Sequence, residues 1–360
     1  MKIQVRPFGK AYGKQAFKYT FITEKGASCT ITDLSGAIMS VRVPDKHGVL
    51  DNVVLGFDDV KSYVHNAGFL GALIGPVGNR IAGAEFDFEG KHYSFAPNEN
   101  GTTLLHCVPI GFHTCVWDAE CGCDGEKGTL VLTHEFKEEE THWPGNIRAE
   151  ITYSFTEAAA LRIDYRMSSD KETFASPTNH TYFNIAGTSK KSIPSVGRQV
   201  IELFADRYTT VDEKCIPTGT AGVCGTPFDL RQGVKLSDGF AHEKEDAQMT
   251  IGAGYDHNYI LSKPIDLTGL RHAARVTDRL TGRVMNVYTD MPCVQLYTAN
   301  HLKRYNPTEK RFYGKRRALC LETQCAPDSI HHEGEEGFDV MKFGAGKTFT
   351  SSTVYEFQVK

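Results

Sequence analysis

The chain has 360 residues, 40% of them hydrophobic and 23% charged. That is enough apolar material for a large core, and it excludes a disordered chain. The formal net charge of −4 gives no general pull toward nucleic acid or an anionic membrane surface, and no apolar run approaches the roughly 18 residues that a membrane helix needs.

In chain order the reading is dominated by short strands. The opening MKIQVRPFGKAYGK has no apolar segment of the kind that marks a secretory leader. Residues 59–64 carry the only helix-like pattern. Residues 85–88 and 91–95, joined by Glu89-Gly90, read as a hairpin. Strands with apolar alternation follow at 128–134, 146–155 and 161–167. SPTNHTYFNIAG, residues 176–187, reads as a half-buried strand. Its alternate residues Thr178, His180, Tyr182 and Asn184 would share one face. Two more strands, 284–289 and 294–298, flank Pro292, and 348–357 closes the chain. No repeat or low-complexity linker divides the sequence. The expectation is an all-β chain, a single domain over 1–360 built as a large antiparallel β-sandwich with few short helices.

The ten cysteines are scattered with no CxxC pair, which argues against zinc-ribbon spacing. They read mostly as small buried hydrophobes of a reduced, cytoplasmic protein.

Five segments set hydrogen-bonding or ionisable residues beside apolar strands. Gly75-Pro-Val-Gly-Asn79-Arg80 turns the backbone and then projects several donors; the alternative is a surface arginine after a loop. Leu104-Leu105-His106 holds a lone histidine, which is as compatible with core filling as with a site. His180 is either a satisfied structural histidine or the wall of a polar cavity. Asp256, in GYDHNY, suits a ligand with many hydroxyls or a turn that binds its own amides. In LCLETQ, period-2 alternation puts Cys320, Glu322 and Gln324 on one face and Leu319, Leu321 and Thr323 on the other. A carboxylate in so apolar a run is costly to bury without a partner, so Glu322 stands out. Seven basic residues lie between Lys303 and Arg317 and fit either a solvated loop or a phosphate site. No phosphate-binding GxxxxGK[ST], HExxH or GxSxG motif occurs.

Taken together, "GNRIAGAEFDFEGKHY", "LLHCVPIGFHTCVW", "TNHTYFNIAG", "TPFDLR", "YDHNYIL", "VQLYTAN" and "LCLETQCAPDSIHH", preceded by "VRVPDKHGVLDNVVLGFDDVKSY", resemble the aldose 1-epimerase (galactose mutarotase) family in family order over nearly the whole chain. The resemblance implies a galactose mutarotase-like β-supersandwich and interconversion of the α and β anomers of a free hexose, without cofactor or metal. It places the general acid on His180 and the general base on Glu322. Substrate-binding positions fall on Asn79, Arg80, His106, Asp256 and Gln295. The implied partner is a small aldose, with no nucleic acid or membrane, and the chain is expected to be a monomer or weak homodimer. Departures from the family pattern at Gly75–Gly78, Cys107-Val108 and His113-Thr114 are expected around the mouth of the cleft. The ordinary pKa values of ~4.3 for Glu and ~6.5 for His imply an ionised Glu322, and a His180 kept charged by a nearby carboxylate such as Asp256. Three other readings fit parts of the sequence: an epimerase acting on a hexose 6-phosphate through residues 303–317, a non-catalytic sugar-binding β-sandwich, and a glycoside hydrolase using Asp256 and Glu322 as a carboxylate pair.

Overall fold

The structure is a computed structural model, and it describes residues 1–189 and 192–360. Three antiparallel sheets dominate it. Lys2–Ala11, Lys14–Ile22, Ser28–Thr32, Ile38–Pro44 and Leu50–Asn52 form a five-stranded sheet in sequence order. A nine-stranded sheet begins with Asp118–Cys123, Lys127–Phe136, Ile147–Thr156 and Ala160–Ser169. Its other half runs through Arg283–Thr289, Arg271–Asp278, Val200–Leu203 and Val234–Lys235. The C-terminal strand Phe349–Val359 lies between the halves, so that Tyr355 pairs with Leu161 on one side and Val287 on the other. The third sheet orders Pro217–Gly222, Ala205–Val211, Asp256–Leu261, Cys293–Tyr297 and Cys320–Gln324.

Local sequence accounts for much of this. The expected hairpin is Glu85–Phe88 paired with Lys91–Ser94, and Gly90 supplies its left-handed turn position at φ 73°. The helix is Val60–Val64, where the Asp59 side chain accepts from the Ser62 N–H as an N-cap. Among the described residues, no helix is long and apolar enough to cross a membrane.

Sheet packing decides which way the Cys320–Gln324 strand faces. The Tyr355 hydroxyl donates to the Leu321 carbonyl at 3.1 Å, and the hydroxyls of Thr323 and Thr353 are hydrogen-bonded. Leu319, Leu321 and Thr323 therefore belong to the side that meets the nine-stranded sheet. Period-2 geometry sends Cys320, Glu322 and Gln324 the other way.

Residues 176–187 depart from the expected strand. Only Thr178–Asn179 is strand, paired with Leu73–Ile74, and the segment is fully buried rather than half-buried from Ser176 through Thr188. It runs extended between two neighbours. The His180 N–H donates to Ala72 O (2.9 Å), the Gly71 N–H donates to His180 O (3.0 Å), and Phe183 and Leu319 exchange a pair of backbone bonds. Most of its polar side chains find partners: Thr181 Oγ1 donates to Asn179 Oδ1, Asn179 Nδ2 to Gly71 O, and Asn184 Nδ2 to the carbonyls of Pro194 and Arg317, while Thr178 Oγ1 is buried without a partner. Hydrogen bonding of this kind lowers the cost of burying a polar run.

Gly71 makes that approach possible. Its φ is +70°, and a Cβ would stand 2.2 Å from the Ile38 carbonyl oxygen. Gly71→Ala combines a left-handed position with a backbone clash, so a loss of about 1–3 kcal/mol is expected. Urea denaturation checks this; an unchanged midpoint would mean that the backbone yields at no cost.

Candidate active site

One pocket of about 190 Å³ gathers every site residue expected from the sequence: Asn79, Arg80, His106, His180, Asp256, Gln295 and Glu322. They come from three parts of the fold. Glu322 and Gln295 are cross-strand partners in the third sheet, and Asp256 is on the next strand, paired with Tyr297. His180 enters from the extended crossing. Asn79, Arg80 and His106 come from a small bridge in which Leu105 pairs with Arg80.

The centre of the pocket is His180 and Glu322, with Nε2 3.8 Å from Oε1. The two residues are 5% and 2% exposed, so both are withdrawn from solvent. Glu322 Oε2 is buried with no hydrogen-bond partner, which is costly for a carboxylate unless a ligand completes it. Burial pushes the Glu322 carboxyl well above its ordinary range; Asp256 adds to this and Arg80 opposes it. Burial pushes His180 down to about 4. The expectations of an ionised Glu322 and a charged His180 are both corrected for the unliganded pocket: desolvation outweighs any carboxylate field and favours the neutral forms.

Arg80 is a strut as well as a pocket wall. Its Nε and Nη2 donate to the two oxygens of Glu99 at 2.6 and 2.9 Å, a bidentate fork, and Nη2 lies 4.0 Å from Asp256 Oδ2. Burial works against the guanidinium charge, but Asp256 and Glu99 raise its pKa above the ordinary arginine value. Asp256 accepts from Gln295 Nε2 at 2.7 Å. Its own pKa is raised by burial, partly offset by Arg80 and Gln295.

Asn79 holds His106. Its N–H donates to His106 Nδ1 at 3.0 Å, and the His106 N–H donates back to the Asn79 carbonyl at 2.9 Å. Asn79 sits at φ 63° and His106 at φ 57°, a conformation that asparagine tolerates better than most residues. Because Nδ1 accepts, the neutral ring carries its proton on Nε2. Burial, together with His180 and Arg80, pushes the His106 pKa well down. His106 is therefore a fixed neutral donor.

His106, His180 and Glu322 each bring one ligand-type atom within 4.8 Å of the others, the residue types of a metal centre. The proton on His106 Nε2 argues against that use, since a metal ligand needs a bare nitrogen there.

Several pocket residues carried no sequence signal. Glu99 lies in an Asn-Glu-Asn-Gly loop that reads as surface. Phe69, at φ 55°, puts its ring 4.7 Å from His106 and stacks on His180 at 6.0 Å. Tyr297 and His301 also line the pocket. Of the nearby aromatics, Tyr182 lines the pocket, whereas Phe112 and Trp117 pack with Phe136 in the core.

The departures at Gly75–Gly78 and Cys107-Val108 are not in this lining. A Cβ on Gly75 would strike the Phe112 ring, and Cys107 is buried with its thiol against Val77 O. They brace Asn79 and His106 from behind. Val108, His113 and Thr114 instead line a neighbouring cavity that shares Ala67, Phe69 and Leu105 with the pocket.

Of the basic run, Lys303 and Arg304 reach the pocket lining. Lys315 and Arg316 pair with Glu243, Arg311 pairs with Glu309, and Arg317 donates to Ile193 O.

A family model described as aldose 1-epimerase matches residues 18–356. The chain belongs to the aldose 1-epimerase family. Galactose mutarotase of Bos taurus is 33% identical over 333 residues, spanning 92% of this chain and 89% of that protein. Aldose 1-epimerase of Escherichia coli K12 is 30% identical over 339 residues, 94% of each chain. The crystal structure of galactose 1-epimerase from Lactobacillus acidophilus superposes with a TM-score of 0.84 at 23% identity over 99% of both chains, which identifies the β-supersandwich of this family as the fold. The pocket described above lies against one face of the third sheet, with Asp256, Gln295 and Glu322 in its lining.

Proposed function

We propose that this enzyme interconverts the α and β anomers of free hexoses such as galactose or glucose by opening and reclosing the ring. The observation that carries the reading is the His180–Glu322 pair, two groups of opposite proton affinity 3.8 Å apart in a buried polar pocket.

Ring opening removes the proton from the C1 hydroxyl and delivers one to the ring oxygen. The carbonyl then turns about the C1–C2 bond and the ring closes on its other face. Glu322 is the base at the C1 hydroxyl and His180 the acid at the ring oxygen. The chemistry needs one proton on the pair, and closure returns it, so the same pair serves both directions. In the empty pocket burial favours that proton on Glu322. Sugar hydroxyls set against the carboxylate favour its charged form, and the short gap lets the proton pass to His180.

The other residues hold the sugar. Arg80 and the Nε2–H of His106 donate, Asp256 accepts, and Gln295 orients Asp256 while Asn79 orients His106. An unpaired buried polar group costs about 1–3 kcal/mol, so the orphan Glu322 Oε2 and the buried, unpartnered Gln295 Oε1 are sites that hydroxyl groups would fill. Cytoplasmic placement is supported by the buried free thiols of Cys29, Cys107, Cys293, Cys320 and Cys325, which a reducing compartment preserves.

Polarimetry of freshly dissolved α-D-galactose and α-D-glucose tests the reading. The enzyme should speed the approach to the equilibrium rotation of at least one of them. Spontaneous rates with both, alongside fast anomerisation of a hexose 6-phosphate, would transfer the assignment to the phosphorylated sugar.

A further inference from the structure

The mechanism above leaves one group at its centre unused. Cys320 is fully buried, and its Sγ lies 3.4 Å from His180 Nδ1. Cys320 and Glu322 are two residues apart on one strand, so they share its pocket-facing side. The imidazole is thereby spanned along its plane, with the thiol at Nδ1 and the carboxylate at Nε2. The Tyr182 ring, 4.9 Å away and inclined by 20°, and the Phe69 ring set the tilt of that plane. Neither can choose which nitrogen carries a proton. Among the described residues, the thiol is the side-chain hydrogen-bonding neighbour of Nδ1, and a hydrogen bond to the backbone of His180 itself also favours a ring N–H.

We propose that Cys320 is a positioning residue whose sulfur accepts a hydrogen bond from Nδ1–H of His180, making Nε2 the nitrogen that exchanges protons with the sugar. This rests on the assignment of His180 as the acid. In that role the ring alternates between imidazolium and the neutral form that has given up its Nε2 proton. Nδ1 keeps its hydrogen in both, so what the site requires there is an acceptor. A thiol can accept weakly, and this one stays protonated and uncharged, because burial, Glu322 and Asp256 all push its pKa up. An uncharged acceptor orients the ring without the strong attraction for the imidazolium that a carboxylate at Nδ1 would exert. The Nε2 proton therefore remains easy to give up. Were the thiol to donate instead, the neutral ring would hold its proton on Nε2 and could not take one back from the sugar.

The test is 15N NMR of ring-labelled histidine at neutral pH, read without turnover, together with kinetics. Wild-type His180 should show a protonated Nδ1 and a bare Nε2. Cys320→Val, which fills the space but cannot accept, should populate the other tautomer and lower kcat on the order of 10-fold, the scale set by lost orienting partners, with KM within about twofold. Cys320→Ala serves the same purpose should Val perturb packing. Cys320→Ser, whose hydroxyl can accept, should restore the wild-type tautomer and most of kcat. A wild-type ring protonated on Nε2, or a Val variant with unchanged tautomer and kcat, would overturn the proposal. A His180→Asn enzyme at full rate would overturn the assignment beneath it, whereas an inactive His180→Asn enzyme with an Nε2–H wild-type ring would sink this proposal alone.

Discussion

Glu322→Gln and His180→Asn are each expected to lower kcat for anomerisation by about 10²–10⁴-fold, the usual worth of one positioned proton-transfer group, with KM for galactose little changed. Both replacements keep the size and much of the hydrogen-bonding capacity of the original side chain, so the pocket should persist. Initial-rate polarimetry or coupled oxidation of the β anomer gives both constants. Near wild-type kcat in either variant removes that residue from its role.

The same substitutions should leave opposite marks on stability. Glu322 has a folded pKa raised by burial. What it contributes to stability is fully present below its unfolded value of ~4.3 and is lost as pH rises through the folded value. Glutamine does not titrate, so Glu322→Gln should gain on the wild type as pH rises above ~4.3. His180 is depressed to about 4. Its contribution is present above the unfolded value of ~6.5 and is lost as pH falls through 4, so His180→Asn should lose less stability than the wild type on acidification. Melting curves from pH 4 to 8 would show the two trends diverging. Parallel curves for all three proteins would mean that neither group is held in its neutral form.

The second large effect is expected at Arg80. Its fork neutralises Glu99, and it is the cation nearest Asp256. The arginine side chain is 12% exposed and that of Glu99 22%. Arg80→Ala would leave two largely buried carboxylates without a cation, a loss of about 3–5 kcal/mol when such a pair is broken. It should also raise KM by at least about tenfold, as a charge-assisted contact worth about 1.5–3 kcal/mol disappears. Glu99→Gln separates the two roles. It frees part of the guanidinium while keeping its charge beside Asp256, so it should weaken sugar binding less than Arg80→Ala does. If KM is unchanged in Arg80→Ala while stability falls, Arg80 is a strut only.

The contrast between Glu322 and His180 shows where legibility in the sequence ended. For Glu322, alternation within LCLETQ already separated its face from that of Leu319, Leu321 and Thr323, because strand pleat is a local property. For His180 the same rule gave one right neighbour, Tyr182, but the wrong element. The bonds that hold the segment run to Ala72, Gly71 and Leu319, far away in the chain. Glu99 was invisible for a related reason: a loop glutamate looks like any solvated acid until an arginine fork closes on it. The departures at Gly75–Gly78 and Cys107-Val108 were expected at the cleft mouth because they adjoin Asn79 and His106 in sequence. The backbone turns at both places, so Gly75 and Cys107 face the core while Val108 lines the adjoining cavity.

By itself the sequence determined the strand-rich architecture, the hairpin and the capped helix, since these follow from periodicity and turn chemistry within a few residues. The family resemblance of its motifs also named seven of the side chains that meet in the pocket. Tertiary structure alone decided their protonation and their partners. Desolvation depends on everything packed around a group, so only the assembled sheets could push His180 and Glu322 toward neutrality, set a thiol against one imidazole nitrogen and a carboxylate near the other, and turn Arg80 from a loop cation into the buried brace of two acids.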